Sequence, residues 1–294
     1  THIAVVCSLR NHDSLRHREL DALVQGSDTL TQSPESILCR IPGWDGASVT
    51  ELSGGLNNQT WLAEIDGRKA VLKIDEESRS APFNSRPAEA SIQSIAANHG
   101  LANAVLYVDE QVLLTEFVEG DVWKPHYFQQ HDNVELVAAT LRQLHALPLT
   151  GRSFDSTVAA RRYVATIDNR DTALIAHCTR VIETMRLPHN LCCCHNDLVA
   201  ENIITVPGMM FLDWEYACDN DPLFDLATVV EHHDLGEEAA FRLLDAYFDG
   251  DGSRWRPKLR EQQDLYLALY WLWLASHPDS KQDELDAVGA RIER

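Results

Sequence analysis

Three oxygen-bearing side chains set the chemistry to consider first. Asp197 and Asn202 lie in His195-Asn196-Asp197-Leu198-Val199-Ala200-Glu201-Asn202, and Asp213 opens Asp213-Trp214-Glu215. One aspartate can orient and deprotonate an attacking hydroxyl. An amide five residues later and a second carboxylate offer oxygen ligands of the kind that Mg²⁺ accepts. A base with two such ligands suits the transfer of a phosphoryl group. Asp213 follows a short apolar run, 209–212, that reads as a strand. Aspartate and asparagine are also frequent in turns, where they bond their own backbone. That reading would serve for any one of the three, but not for the set. His195 reads as a packed structural histidine.

A phosphate site also needs positive charge. Lys73 sits in Ala70-Val71-Leu72-Lys73-Ile74, an apolar strand pattern in which a lysine is costly unless paired. Glu89, on the helix that follows, is its natural partner. The alternative is an edge lysine facing water. Before Lys73 lies Ser53-Gly54-Gly55-Leu56-Asn57-Asn58, a turn whose glycines let backbone amides approach a phosphate closely. It matches neither Gly-x-Gly-x-x-Gly nor the Walker pattern. Taken alone it is better explained by an ordinary turn.

These residues need a scaffold. Residues 15–24 have helical apolar spacing with Gly26 as a stop. From residue 48 the pattern turns to strands. Segments 60–65 and 68–74 flank Asp66-Gly67, a two-residue hairpin signal. Residues 87–98 read as a helix, with proline at its start and Gly100 past its end. Segments 104–108 and 111–117 make a second hairpin. After Gly120 the pattern is mainly helical. Asp132 with Glu135 reads as a capping box for a helix to about residue 147. Further helices are expected over 159–185, 222–233, 237–248, 257–276 and 282–292, and strands only around the Asp197 loop. The expected organisation is an N-terminal helical extension (1–33), a small nucleotide-binding lobe (34–118) and a larger lobe (119–294) with the catalytic loop. A site drawing on both would lie in the cleft between them.

Composition narrows the partners. The net charge is −20, from 25 basic and 45 acidic residues. That opposes a nucleic-acid footprint and docking on anionic lipid. It suits a cationic small molecule, and equally it suits solubility alone. Seven cysteines include the run Cys192-Cys193-Cys194, with no Cys-x-x-Cys pair. The run reads as a buried strand in a reducing compartment, hence a cytoplasmic protein. No run of about 18 apolar residues suggests a membrane span. The first residues lack the pattern of a secretory signal.

The spacing His-x-Asp-x-x-x-x-Asn resembles a kinase catalytic loop. With Leu52-Ser53-Gly54-Gly55-Leu56-Asn57-Asn58, Val71-Leu72-Lys73-Ile74, Arg86 with Glu89, Leu114-Thr115-Glu116-Phe117-Val118-Glu119-Gly120, Leu212-Asp213-Trp214-Glu215-Tyr216-Ala217 and Phe224-Asp225-Leu226-Ala227, the chain resembles the choline/ethanolamine kinase family. That family lies within the aminoglycoside-phosphotransferase-like group, which also holds thiamine kinases. The likeness runs from about residue 49 to 276. It implies an α+β, two-lobed protein-kinase-like fold with a small antiparallel-sheet lobe and a larger, mainly helical lobe. It also implies ATP and Mg²⁺ as cofactors. By position, Asp197 is then the catalytic base, and Asn202 and Asp213 are the magnesium ligands. Lys73 with Glu89 and the loop carrying Gly54, Gly55, Asn57 and Asn58 would serve the phosphates. Glu116, Phe117 and Val118 would form the hinge that meets adenine, and Asp225 would brace the loop. Eleven residues, 214–224, separate Asp213 from Asp225, too few for the peptide-docking segment of a protein kinase.

On the acceptor side, Tyr270 and Trp273 are three apart on a helix and share a face. The resemblance makes them part of an aromatic cage for a quaternary ammonium, although the family tends to carry tryptophan at both positions. Core packing explains aromatics equally well. Glu215 and the run Asp219-Asn220-Asp221 supply negative charge for a cation, or cap the helix that follows. The expected activity is ATP-dependent phosphorylation of choline or ethanolamine. Thiamine or an aminoglycoside is the alternative acceptor. A silent binding protein and a metal-dependent phosphohydrolase are the competing classes. The second would leave Lys73 idle and usually needs more metal ligands.

Overall fold

Asp66 and Gly67, at φ 50° and 75°, reverse the chain in two residues. They pair strand β2 (Gln59–Ile65) with β3 (Arg68–Ile74). Both residues need positive φ, which aspartate tolerates and glycine adopts freely. In the computed structural model the described residues are 33–52, 59–75, 85–129, 131–167, 172–185, 188, 190–277 and 280–292. The expected helix over 15–24 and the Gly54-Gly55 turn with Asn57 and Asn58 lie outside them.

The first part is a five-stranded antiparallel sheet in the order β1-β2-β3-β5-β4, with β1 Ser48–Glu51, β4 Val105–Val108 and β5 Val112–Glu116. Alternation divides β3. Ala70 and Leu72 pack with Ile37, Leu38 and Trp44, which belong to helix α1 (Pro34–Leu38) and the turn after it. Val71 and Lys73 point to the opposite face. Helix α2 (Arg86–Asn98) starts on an extended Ser85 with Pro87 in its first turn. It packs against β4 and the turn after Asp213.

Beyond Gly120 helices dominate. They are α3 (His131–His145), α4 (Ser156–Thr166), α5 (Thr172–Thr184), α6 (Pro222–His232), α7 (Glu237–Tyr247), α8 (Arg256–Ser276) and α9 (Gln282–Ile292). Helix α8 is the axis of this part and packs against α4, α5, α6 and α9. Two small sheets carry the catalytic loop. Strand β7 (Cys192–Cys194) pairs with β10 (Cys218–Asn220). Strand β8 (Ile203–Val206) pairs with β9 (Gly208–Phe211) and with β6 (Asp121–Val122).

Several expectations need correction. The helix expected over 159–185 is two helices. Helix α4 ends at Ile167, whose ψ of 117° is extended, in Thr166-Ile167-Asp168-Asn169, a run of poor helix formers. Helix α3 begins at His131, one residue before the expected cap, and the side chain of Asp132 lies outside what is described. Strands β6 and β10 were not expected, because two or three residues are too few to show alternation.

Candidate active site

The catalytic loop is held on both sides before any ligand is considered. His195 is buried, and its Nε2 lies 3.0 Å from the Leu212 carbonyl, so it joins the loop to the residue before Asp213. Its ring meets Trp214 edge-on at 4.9 Å. Burial lowers its pKa, so the ring is neutral. Asn196 then turns the chain at φ 64°. The amides of His195 and Asn196 donate to the two oxygens of Asp225 at 2.9 and 2.7 Å. Asp225 sits in the first turn of α6, fully buried, and takes a third bond from His145 Nε2 at 3.0 Å. The Asn196 side chain donates to the Tyr216 carbonyl and accepts from Asn220. His145 had no role of its own in the sequence reading, and Asn220 entered it only within the run Asp219-Asn220-Asp221.

Asp197 emerges half-buried from this clamp. The Asn202 amide nitrogen donates to its Oδ2 and to its carbonyl, both at 2.9 Å. Burial, and then the charges of Asp213 and Glu215, push its pKa well above the usual carboxylate range. Asp213 has left-handed backbone, φ 62° and ψ 75°, which aims its side chain at the sheet. There Lys73 Nζ meets Asp213 Oδ1 at 2.8 Å.

The expected partner of Lys73 is also present, but farther off. Glu89 Oε1 is 3.8 Å from Nζ. Glu89 Oε2 takes Arg86 Nη1 at 2.7 Å, and Arg86 in turn binds Asp75. Arg86 is fully buried. The chain of alternating charges Asp213, Lys73, Glu89, Arg86 and Asp75 therefore crosses from the turn after β9 to the five-stranded sheet. Burial alone would lower the pKa of Lys73, but Asp213 and Glu89 outweigh it and hold the lysine above its ordinary value. Asp213 shows the converse. Burial would raise its pKa, and Lys73 pulls it below the usual range.

A cleft beside this pair is lined by Val71, Lys73, Leu113, Thr115, Leu212 and Asp213. Residues 116–118, the expected hinge, follow Thr115 in the chain and are not among its lining residues. The Glu116 and Phe117 amides are already bonded to the carbonyls of Ala104 and Lys69. Glu116 is exposed, Phe117 is buried and Val118 is half-buried.

Glu215 is buried on the turn Trp214–Tyr216. Tyr163, Tyr216 and Tyr266 all feel the charge of Asp197, and the first two that of Glu215 as well. Burial pushes the Tyr163 phenol up to about 12, with Asp197 and Glu215 adding to the effect. Tyr216 is raised by burial and then by Glu215. Tyr266 is raised by burial, then by Tyr270 and Asp197. Helical spacing from Tyr270 could have found Tyr266. Tyr163 had no signal, because its helix lies far from the motifs.

Tyr270 and Trp273 belong to a stack along α8. Tyr266 to Tyr270 is 5.7 Å, Tyr270 to Trp273 is 6.2 Å, and both pairs are nearly parallel. The Tyr270 hydroxyl donates to Glu284 of α9. The run after Glu215 is structural. Asp219 accepts from the amides of Thr150 and Gly151, and Asp221 caps α6 through Leu223.

The donor set fits magnesium. The Asn202 amide nitrogen is bonded to Asp197, so its oxygen would be the atom offered to a metal. Together with the Asp213 carboxylate this makes two hard oxygens, the number Mg²⁺ commonly takes from protein beside phosphates and water.

Residues 48–261 match the sequence model of the phosphotransferase enzyme family. The chain belongs to that family. Protein LicA of Haemophilus influenzae is 31% identical over 208 residues, covering 66% of this chain and 61% of that protein. A choline/ethanolamine kinase family protein from Mesorhizobium loti has a similar structure, with a TM-score of 0.69 at 23% identity, over 88% of this chain and 92% of that one. The choline kinase LicA from Streptococcus pneumoniae also gives a TM-score of 0.69, at 21% identity, over 84% of this chain and 92% of that one. The fold is therefore the two-lobed kinase-like fold, with an antiparallel-sheet lobe and a mainly helical lobe.

Proposed function

We propose that the protein transfers the γ-phosphoryl group of ATP to the hydroxyl of a small cationic alcohol, choline or ethanolamine. The observation that carries this reading is the 2.8 Å contact between Lys73 and Asp213. It brings a buried cation from the sheet to a carboxylate beside the Asp197 loop, and a nucleotide's phosphates and their metal would be held next to that pair. We take residues 34–118 as the nucleotide lobe, 119–294 as the catalytic lobe and 1–33 as an N-terminal extension.

In this mechanism Lys73, oriented by Glu89, binds phosphate oxygens. The backbone of Glu116, Phe117 and Val118 meets adenine. Gly54, Gly55, Asn57 and Asn58 belong to the loop over the phosphates. Asn202 and Asp213 would hold Mg²⁺, which would supply positive charge to the phosphates. Asp197 takes the proton from the acceptor hydroxyl as oxygen attacks phosphorus. The neighbouring carboxylates make it a stronger base than an ordinary aspartate. Glu215 supplies charge for the acceptor's cation, and Tyr163, Tyr216 and Tyr266 supply aromatic faces beside it. Tyr270 and Trp273 continue those faces along α8. Cysteines free of disulfides, among the described residues, support action in the reducing cytoplasm.

ATP-dependent ADP release with choline, ethanolamine, thiamine, an aminoglycoside and a neutral alcohol tests the reading. Choline or ethanolamine should give the highest kcat/KM. Preference for the neutral alcohol would overturn the cationic acceptor. ATP hydrolysis that no acceptor stimulates would overturn the kinase.

A further inference from the structure

The cysteine run does more than form a strand. Cys192 and Cys194 lie two apart on β7, so their side chains leave the same face. Their sulfurs are 3.5 Å apart and free of any disulfide. His145, at the end of α3, lies against them, and one ligand atom from each of the three residues falls within 4.8 Å of the others.

The histidine is already set as a ligand would be. Its Nε2 lies 3.0 Å from the Asp225 carboxylate, which cannot donate, so the ring proton belongs on Nε2. Nδ1 then presents a lone pair, and it accepts from the Tyr247 hydroxyl at 2.7 Å. A carboxylate behind the far nitrogen of an imidazole is the usual second layer of a metal-bound histidine. The Tyr247 phenol is pushed up by burial and then by Cys192 and Cys194, so both thiols are within its electrostatic reach. Tetrahedral zinc with Zn–S bonds of about 2.3 Å spaces two sulfurs about 3.8 Å apart, close to the separation found.

We propose that Cys192, Cys194 and His145 form a binding site for a thiophilic d¹⁰ cation such as Zn²⁺, separate from the magnesium ligands Asn202 and Asp213. Two metal–sulfur bonds and one metal–nitrogen bond form. The two thiols release their protons to solvent, and the Tyr247 hydroxyl gives up its bond to Nδ1. Water or Tyr247 completes four-coordination. The site reports on the catalytic loop, because Asp225 holds His145 and also the amides of His195 and Asn196.

Cadmium is the probe, because its bonds to thiolate give an ultraviolet charge-transfer band that carboxylate binding does not. The full chain, reduced, carrying Cys7→Ser and Cys39→Ser and saturated with Mg²⁺, is titrated with Cd²⁺. The expected result is a saturable band at one ion per chain with release of about two protons. Cys192→Ser and Cys194→Ala should each abolish it, while Cys178→Ser, on α5, leaves it unchanged. His145→Gln should weaken binding by about tenfold or more. Circular dichroism checks that each variant is folded. Hydrogen exchange at the His195 and Asn196 amides should slow when the ion binds. No saturable band, or a band that persists in folded Cys192→Ser, would overturn the site. Unchanged affinity in His145→Gln would remove the imidazole from it.

Discussion

Asp197 carries two features that act together. Asn202 holds one of its oxygens, and burial, with the carboxylates of Asp213 and Glu215 adding to it, raises its affinity for a proton. Asp197→Asn keeps the shape and removes the base. Its kcat should fall by about 10²–10⁴-fold while ATP still binds, as read by single-turnover kinetics and nucleotide titration. Near-normal turnover in the folded variant would remove Asp197 as base. Arg86 is the opposite kind of residue, fully buried and bonded to both Asp75 and Glu89. Arg86→Met removes the guanidinium from between two buried carboxylates and leaves Glu89 with Lys73 at 3.8 Å. It should cost about 3–5 kcal/mol in urea unfolding, since breaking a buried pair strands the remaining charge. A loss below about 1 kcal/mol would mean that those carboxylates find water or protons instead.

At the scale of elements, the end of α6 is tied to the catalytic loop through His233. Its Nε2 lies 3.2 Å from the Leu198 carbonyl, and Phe128 packs edge-on against its ring. Burial lowers its pKa to about 3. The ring is therefore neutral in the fold, whereas the unfolded chain takes up a proton below about pH 6.5. The His233 contribution is complete above that pH and is lost as pH falls toward 3, with a slope of up to about 1.4 kcal/mol per pH unit. The urea midpoint should drop between about pH 7 and pH 5, and His233→Gln should show a shallower drop. Equal slopes in both proteins would exclude His233 as the source. Helix α8 offers a second test. If its stacked rings serve the acceptor, Trp273→Ala should raise KM for a quaternary amine about tenfold and leave KM for ATP nearly unchanged. Equal changes in both would indicate packing alone.

At the scale of the molecule, the net charge of −20 and the carboxylates near the reacting centre favour a cation over a neutral alcohol. Part of that attraction is long-range and screened by salt. Raising ionic strength from about 0.05 to about 0.5 M should raise KM for a cationic acceptor, and leave KM for a neutral analogue in place. Parallel changes for both would show that the acidic surface serves solubility only.

What could be read without the fold was whatever depends on short spacing. The Asp66-Gly67 turn, the Lys73 strand and the Asp197–Asn202 loop are local, and hydrophobic periodicity marks α2, α6, α8 and α9 to within a residue or two. The Gly54-Gly55 turn stays a reading of sequence, since it lies outside the described residues. Tertiary structure decided which charges meet. Lys73 is 140 residues from Asp213, and no periodicity relates them, yet their contact is shorter than the expected one to Glu89. It likewise decided that Asp225, His145 and Asn196 form one clamp and that tyrosines from three elements feel the charge of Asp197. Burial then converts those meetings into chemistry. Away from water, a neighbouring charge shifts a proton equilibrium that solvent would otherwise screen, and burial depends on how distant segments pack.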